Sequence, residues 1–158
     1  MGIKTEDNKI FKVISEKKKH KFFIGKNKIN KKENFSWKVK INKITGWMAF
    51  GLGEKKKIEN NQYKFSGFNK DNHGCLLISS NKYIWNSNLL QQNNVFLEKF
   101  SSFKEAEEIY FNFSSNENIL RFIYQGYEGV LKNVFLCEEE LFPVFILINK
   151  NDEIEINY

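Results

Sequence analysis

Residues 35–41 read Phe35-Ser36-Trp37-Lys38-Val39-Lys40-Ile41, a strict alternation of apolar and polar side chains. Successive side chains of a strand point to opposite faces, so this period predicts a strand with one face buried and the other in water. Residues 47–53, Trp47-Met48-Ala49-Phe50-Gly51-Leu52-Gly53, are apolar on both faces, which is typical of a strand inside a packed sheet. The connection of residues 42–46 is too short for a parallel crossover, so the two strands are predicted to form an antiparallel hairpin.

The chain beyond this hairpin also has the pattern of short strands. One predicted strand begins at His73 and another covers Tyr83–Trp85, with the turn residues Ser79–Lys82 between them. Residues 35–85 are therefore expected to form one half of a β-sandwich. Further strands are predicted at Ile10–Ile14, Phe22–Ile24, Ile109–Phe113, Ile119–Tyr124, Leu141–Ile148 and Glu153–Tyr158. The fold class that follows is all-β, an antiparallel two-sheet β-sandwich.

Two local patterns predict something other than a strand. Ser102 and Glu105 have the spacing of a capping box, so one helical turn is predicted at Phe103–Glu108. Gln125–Gly129 contains two glycines and is interpreted as a turn with Tyr127 at its tip.

The composition indicates one domain with a basic arm. With 158 residues, 41% of them hydrophobic, and a single proline, the chain can bury an ordinary core and has little room for a linker. Residues 1–21 are expected to be a solvated basic arm with an edge strand or, alternatively, an anchor to an acidic partner. Residues 22–158 are expected to form the sandwich domain.

Charge is distributed unevenly along the chain. Residues 1–73 contain 19 lysines and 7 acidic residues, a net charge of +12, whereas residues 74–158 contain six basic and 12 acidic residues, a net charge of −6. A basic patch of Lys17, Lys18, Lys19, Lys55, Lys56 and Lys57 could contact a polyanion, or it could serve solvation alone. Arg121 is the one arginine, and arginine is the usual residue for bidentate recognition of phosphate and guanine. Nucleic-acid binding is therefore the less favoured interpretation.

Cysteine use and hydropathy suggest a cytoplasmic protein. Cys75 and Cys137 have no metal-ligand spacing; a disulfide between them is allowed but not required, and Cys75 is expected to be a small buried hydrophobe. No signal peptide is recognisable and no apolar run reaches membrane-spanning length. We expect an intracellular, cytoplasmic protein that does not contact membranes.

The order of these patterns resembles the SPRY (B30.2-like) domain family. The resemblance is carried by W-x-V-x-I at Trp37–Ile41, G-W-x-x-F-G-L-G at Gly46–Gly53 and H-G-x-x-x-x-S-S-N-x-Y-x-W at His73–Trp85, and it extends from about residue 22 to residue 156. It implies a concanavalin A-like jelly-roll sandwich that recognises proteins, with partner peptides contacting loops at one end. The residues that match the pattern then look structural, and the resemblance transfers no binding specificity.

The chain has few residues suited to catalysis. His73 and Cys75 could be interpreted as a base and a nucleophile, but neighbours along one strand are poorly placed for that chemistry. A structural histidine bonded to a nearby backbone group is the favoured interpretation. Glu138–Glu140 is a charge run whose consecutive side chains cannot all face one ion. We expect no enzymatic activity, no cofactor, no metal and no small-molecule substrate.

The leading hypothesis is a non-catalytic protein–protein interaction module, acting as an adaptor or as a small subunit of a larger assembly. Its partner is expected to be a protein that presents a peptide or an acidic surface. Aromatic side chains dominate interface energetics, so the candidate partner-binding residues are the aromatics in or beside loops. These are Tyr63, Phe65, Phe68, Tyr124 and Tyr127. The alternatives are a polyanion-binding subunit, which uses the basic N-terminal half, and a lectin-like glycan binder; the aromatics at 63–68 could also cap the core.

Overall fold

The structure, a computed structural model, describes residues 4–6, 10–14, 21–63, 73–135 and 140–158. Thirteen strands account for most of the regular structure in these ranges. They are β1 (Lys4–Glu6), β2 (Ile10–Ile14), β3 (Lys21–Ile24), β4 (Phe35–Lys43), β5 (Met48–Glu54), β6 (Cys75–Ser79), β7 (Tyr83–Asn86), β8 (Val95–Phe96), β9 (Glu108–Ser114), β10 (Ile119–Tyr124), β11 (Tyr127–Lys132), β12 (Leu141–Leu147) and β13 (Glu153–Asn157). The described helices are α1 (Lys55–Asn60) and a 3-10 helix (Leu90–Gln92).

The strands form two sheets in which hydrogen-bonded neighbours are antiparallel. The seven-stranded sheet has the order β1-β2-β13-β4-β9-β10-β11, and the six-stranded sheet has the order β3-β12-β5-β6-β7-β8. This arrangement confirms the predicted all-β, antiparallel two-sheet sandwich.

The main core lies between the facing sides of the two sheets. In β4 the buried side chains are Trp37, Val39 and Ile41, as the alternation of apolar residues predicts, and β9 and β10 bury alternate side chains in the same way. The rings of Trp37 and Phe111 stack with their centroids 4.8 Å apart. Burial of one large apolar side chain contributes about 1.5–3 kcal/mol, so this interior rather than the loops stabilises the fold.

A second apolar cluster lies on the outer face of the six-stranded sheet. Strands β5, β6, β7 and β12 contribute buried side chains on this face as well as on the inner one. Helix α1 adds Ile58, which is fully buried. The cluster consists of Ala49, Ile58, Cys75, Leu77, Trp85, Val144 and Ile146. The continuous apolar pattern of residues 47–53 therefore marks a strand that is covered on both sides.

The predicted hairpin of β4 with β5 is wrong. Strand β4 pairs with β13 and β9, whereas β5 pairs with β12 and β6, so the two strands belong to different sheets. The connection between them crosses the sandwich at Thr45, whose N–H and hydroxyl both donate to the buried carboxylate of Asp152 at 2.8 Å. A short connection excludes a parallel crossover, but it also allows two strands to face each other across a core. Residues 35–85 consequently contribute to both halves of the sandwich.

The predicted helical turn at Phe103–Glu108 is also wrong. In its place the chain hydrogen-bonds to the end of β4: the N–H of Ala106 donates to the carbonyl of Ile41, and the N–H of Ile41 donates to the carbonyl of Glu107. The carboxylate of Glu105 accepts from the N–H of Ile44 at 3.1 Å, although the capping-box pattern assigned it to a helix N-terminus. Tertiary pairing has overridden the local signal.

Most of the other predicted strands are confirmed. These are β2, β3, β6, β7, the β9–β10 hairpin, β12 and β13. The sequence does not predict β11, because Gln125–Gly129 has the pattern of a turn. The turn is limited to Gln125 and Gly126, and Tyr127 already pairs with Tyr124 as the first residue of β11. Within residues 1–21, β1 is an edge strand and β2 pairs with β13, so both belong to the seven-stranded sheet.

Candidate interaction surface

The connections between strands gather at two ends of the sandwich, which the strand registers identify. Strand β5 ends at Glu54, beside the starts of β6 and β12, so α1 and these starts share one end, here named the helix end. Its other described connections are residues 25–34, 87–94, 115–118 and 133–135. The opposite end, named the turn end, contains residues 44–47, 80–82, 97–107, 125–126 and 148–152.

The predicted aromatic anchors do not form one site. Tyr63 lies at the helix end, just after α1, and is 45% exposed. Tyr124 and Tyr127 lie at the turn end, where β10 and β11 meet. Phe65 and Phe68 lie outside the described residues. Loop aromatics that are well separated in sequence have thus been placed at opposite ends of the molecule.

The expectation that Tyr124 contacts a partner is wrong. Its side chain is 1% exposed, and its ring packs against Phe100 and Phe103 in the main core. The hydroxyl accepts from the N–H of Lys104 at 2.8 Å and donates to the carbonyl of Ser102 at 3.2 Å, and burial raises the pKa of the phenol. Its even position in β10 matches those of Leu120 and Phe122, and this alternation could have identified it as a core residue.

Tyr127 is only partly available to a partner. The side chain is half-buried, and its ring stacks on that of Phe122 and meets the edge of the Phe100 ring. Among the predicted aromatics in the described part of the chain, Tyr63 is therefore the most exposed.

Lysines are concentrated at the helix end. Lys55 and Lys56 are exposed on α1, whereas Lys57 is half-buried and pairs with the carboxylate of Glu54 at 2.6 Å. The described connections at this end, residues 25–34, 54–63, 87–94, 115–118, 133–135 and 140, together contain seven lysines and five glutamates, a net charge of +2. Lys17, Lys18 and Lys19 lie outside the described residues. The helix end is thus basic for reasons that do not depend on the N-terminal arm.

Amide side chains connect the loops of the helix end to one another. The Asn34 side-chain carbonyl accepts from both the N–H and the hydroxyl of Ser115, at 2.9 and 3.1 Å. The Asn118 amide bonds to both backbone groups of Phe135, donating to its carbonyl at 2.9 Å and accepting from its N–H at 2.8 Å. These contacts join loop 25–34 to the β9–β10 turn, and that turn to residues 133–135.

The series of links continues on the other side of this end. The Asn88 amide donates to the backbone carbonyls of Asn133 and Val134, at 2.9 and 3.0 Å. Asn93 accepts from the ring of His73 at 2.9 Å. Residues 133–135 are thereby joined to loop 87–94, and that loop to the start of β6.

Helix α1 and Glu140 close the series into a ring. The N–H of Glu54, which immediately precedes α1, donates to the carbonyl of Gly74 at 2.7 Å, and the N–H of Lys55 donates to the carbonyl of Glu140 at 3.3 Å. The Glu140 carboxylate pairs with Lys28 at 2.6 Å, which lowers the pKa of this carboxyl. No sequence pattern marks these links, because asparagine is abundant along the whole chain.

Strand β11 is at the edge of the seven-stranded sheet, and near the helix end side chains bond to the backbone groups of this edge. The Gln92 amide donates to the carbonyl of Val130 and accepts from the N–H of Lys132, both at 2.8 Å, which imitates the bonding of a neighbouring strand. The buried amide of Asn86 donates to the carbonyl of Lys132 at 2.8 Å. Edge strands with unpaired backbone groups invite association with other strands, and these two amides occupy that position.

His73 and Cys75 are placed as structural residues. The His73 Nδ1 atom accepts from the N–H of Cys75 at 3.2 Å, so the ring is neutral with its proton on Nε2, and this confirms the predicted bond to nearby backbone. The Cys75 thiol is buried and free, donates to the carbonyl of His73 and has a pKa raised by burial. A buried, protonated thiol has poor nucleophilicity, so the pair is not arranged for covalent catalysis. Cys137 lies outside the described residues.

The described residues contain neither a metal-ligand cluster nor a membrane-spanning helix. Within the described ranges, no three or more His, Cys, Asp or Glu side chains are grouped so that they could hold a metal ion. In the same part of the chain, no helix has the length and apolar character needed to cross a bilayer.

The fold matches solved SPRY domains. The crystal structure of the SPRY domain of human HERC1 is similar with a TM-score of 0.65 and 14% identity, covering 98% of this chain and 91% of that chain. A second crystal structure, of a human SPRY domain, is similar with a TM-score of 0.59 and 13% identity, covering 99% of this chain and 97% of that chain. No protein-family model and no curated protein sequence matches the chain. The resemblance predicted from the sequence is thus confirmed at the level of the fold, which is that of a SPRY-type β-sandwich.

Proposed function

We propose that this SPRY-fold chain is a non-catalytic protein-recognition module that acts as an adaptor or as a small subunit of a larger assembly. The observation that carries the proposal is the match of nearly the whole chain to the fold of SPRY domains, and on this proposal the sandwich is a scaffold whose surface recognises a partner. The buried thiol of Cys75 and the neutral, backbone-bonded ring of His73 support the non-catalytic part of the proposal.

The helix end is the surface we assign to partner binding. Its loops are held together by side-chain and backbone hydrogen bonds, so a partner would not have to order them on binding. Lower ordering cost leaves more of the contact energy as affinity. Tyr63 and Leu90, which are 45% and 60% exposed at this end, supply apolar anchors.

The charge of this end specifies the partner further. The described connections of this end carry a net charge of +2, and the exposed Lys55 and Lys56 belong to α1, which leads to the predicted anchor Tyr63. A protein with an acidic surface would be attracted to it, chiefly through a faster rate of association at low salt.

Partner capture with matched variants tests the proposal. The tagged chain is purified from its native cell, and bound proteins are identified by mass spectrometry. A control variant, Phe96→Ala, removes an equally exposed aromatic ring from the edge strand β8, away from the helix end. We expect the wild type and this control to retain one main protein partner and the double variant Tyr63→Ala/Leu90→Ala to bind it at least about tenfold more weakly.

Other results would contradict the proposal. Unchanged capture by the double variant would remove the helix end as the binding surface. Loss of all captured protein after nuclease treatment, with salt-dependent retention on heparin, would favour the polyanion alternative. Specific binding to a glycan array without a protein partner would favour the lectin-like alternative.

A further inference from the structure

A groove lies on the outer face of the seven-stranded sheet. Its volume is about 570 Å³, and strands β4, β9, β10, β11 and β13 form its walls and floor. The polar side chains on its lining include Ser36 and Asn112, which hydrogen-bond to each other at 2.7 Å, and Asn157. The lining of this groove is separate from the aromatic and lysine residues that the sequence singled out as candidates, and its rim meets the helix end at Glu117 in the β9–β10 turn.

An apolar pair lies in the middle of this groove. Tyr110 of β9 and Ile123 of β10 are directly opposite each other in the strand register, and they are 49% and 44% exposed. Cross-strand neighbours on one face have Cβ atoms about 5 Å apart, so the two side chains form one continuous patch. Large exposed apolar side chains that occur as a pair inside a concavity are a stronger sign of binding than the same residues scattered singly.

Charged neighbours fix the walls of the groove on both sides of the pair. The Tyr110 hydroxyl donates to the Glu108 carboxylate at 2.7 Å, and Lys38 donates to the other oxygen of that carboxylate at 3.0 Å. On the opposite side, Arg121 donates to Glu117 at 2.9 and 3.0 Å and to Glu128 at 3.1 Å. The Tyr110 ring and the Arg121 guanidinium are therefore held in place before any partner arrives.

The charge that a partner meets here is negative. The charged side chains of the groove and its rim include three cations, Lys38, Lys40 and Arg121, and four carboxylates, those of Glu108, Glu117, Glu128 and Glu155. The side chains of Glu117 and Glu128 are more than half exposed, whereas those of Lys38 and Arg121 are about one-third exposed. The accessible carboxylates would repel a polyanion and can accept further bonds from a basic side chain.

We propose that this groove binds a segment of a partner polypeptide in which an aliphatic or aromatic side chain lies close to an arginine or lysine. The apolar side chain sits against Tyr110 and Ile123, and the basic side chain pairs with Glu117 and Glu128. The inference rests on the proposed function, protein recognition, but assigns it a second surface with the opposite charge from the helix end. One module could thereby hold an acidic protein and a basic-apolar segment at the same time.

Selection from a peptide library tests this proposal. Random 12-residue peptides displayed on phage are selected on the immobilised full chain, and the enriched peptides are then synthesised and their dissociation constants measured. We expect an enriched family that combines an aliphatic or aromatic residue with Arg or Lys. These peptides should bind at least about tenfold more weakly to Ile123→Ser and to Glu117→Lys/Glu128→Lys, and unchanged to Phe96→Ala. Exposed substitutions of this kind alter stability little, and thermal melting confirms that each variant is folded.

The outcomes separate failure of this inference from failure of the proposed function. If the peptides bind Ile123→Ser normally but lose binding to Tyr63→Ala, the groove is not their binding site and the helix end remains the recognition surface. Enrichment of acidic peptides, or no enrichment over a blank surface, would also contradict peptide binding in the groove. The proposed function is tested separately, by capture of a cellular partner. A wild type that dimerises in sedimentation while Ile123→Ser stays monomeric would overturn a heterologous segment as the occupant.

Discussion

On the six-stranded sheet the outward side chains of the central strands are buried, whereas on the seven-stranded sheet they are largely exposed. Strand β5 is buried at all positions from Met48 to Gly53, and β9 alternates between buried positions and positions that are exposed or partly exposed. The first outer face carries an apolar cluster that includes Leu77 and Trp85; the second carries polar and charged side chains around Tyr110 and Ile123.

This difference shows where a sandwich can meet other molecules. A sheet that is apolar on both faces needs cover on both, so its outer face contributes to stability. A sheet whose strands alternate between apolar and polar side chains has one face that is exposed to water or available to a partner. Helix α1 follows directly from β5 of the covered sheet, and its Ile58 packs on the outer cluster, so the helix end is continuous with the covered face.

The largest expected effect is a loss of stability on the covered face. Leu77→Ala removes a fully buried side chain from the outer cluster and should cost about 2–5 kcal/mol of unfolding free energy. The matched change Ile123→Ala, on the open face, should alter it by less than about 0.5 kcal/mol. Urea denaturation of both variants measures the comparison. Equal costs would mean that the two outer faces are equally covered.

The connection between the sheets gives the next largest effect. Asp152→Ala leaves the N–H groups of Thr45 and Asn149 and the Thr45 hydroxyl without the carboxylate that accepts from them, and it should cost about 1–3 kcal/mol. The exposed carboxylate of Glu105 accepts one bond at the same corner, so Glu105→Ala is the matched control and should cost less. Denaturant unfolding measures both, and the reverse order would argue against Asp152 as the residue that holds this corner.

The two faces should also respond to acid in different pH windows. His73 leads into the covered face, and its burial lowers the pKa of the folded-state imidazole below the usual value of 6.5. Its neutral form is favoured on folding, so this contribution is complete above pH 6.5 and is lost as pH falls through the lower folded pKa, with a slope of at most about 1.4 kcal/mol per pH unit.

On the open face the pKa values of Glu108 and Glu117 are lowered below their usual 4.5, mainly by hydrogen bonds from Tyr110 and Arg121 respectively. Their contribution is complete above pH 4.5 and is lost only below it. Unfolding free energies measured between pH 4.5 and 6.5 should therefore depend on His73 alone of these three groups. In His73→Gln the slope in this window should flatten, and an unchanged slope would argue against the assignment.

The smallest expected effect is on the open face. Arg121→Gln removes the exposed ion pairs with Glu117 and Glu128, and such pairs contribute little to stability. The melting temperature should be nearly unchanged, whereas the affinity for the selected basic peptides should change because the rim carboxylates lose their neutralising partner. A large drop in melting temperature would mean that this wall of the groove supports the fold.

Much of the fold could be predicted because two hydrophobic patterns in the sequence indicate directly which side chains are buried. The alternation at residues 35–41 and the continuous apolar run at 47–53 gave the correct strands and the correct exposure of each face. They could not identify the sheet to which each strand belongs, because both a hairpin and a crossing satisfy the same short connection. The group that decides between them is the carboxylate of Asp152, which lies 107 positions after Thr45 in the sequence.

The candidate site was predicted less well, for a related reason. An aromatic residue near a turn is either a binding anchor or a core residue, and only its position in the strand alternation distinguishes the two. Tyr124 is two positions after Phe122 and therefore lies on the same, buried face of β10. Tyr110 and Ile123 become one patch through pairing between strands, and neither is unusual in its own segment. The asparagine links of the helix end depend on which loops become neighbours, and no local pattern contains that information.

Hydroxyl-radical footprinting of the native chain, read residue by residue by mass spectrometry, tests most directly whether one outer face is covered and the other open. We predict rapid modification of Tyr110 and Ile123, and protection of Leu77 and Trp85 until the protein unfolds. Modification of Leu77 and Trp85 in the folded protein at rates close to those of Tyr110 and Ile123 would contradict the account.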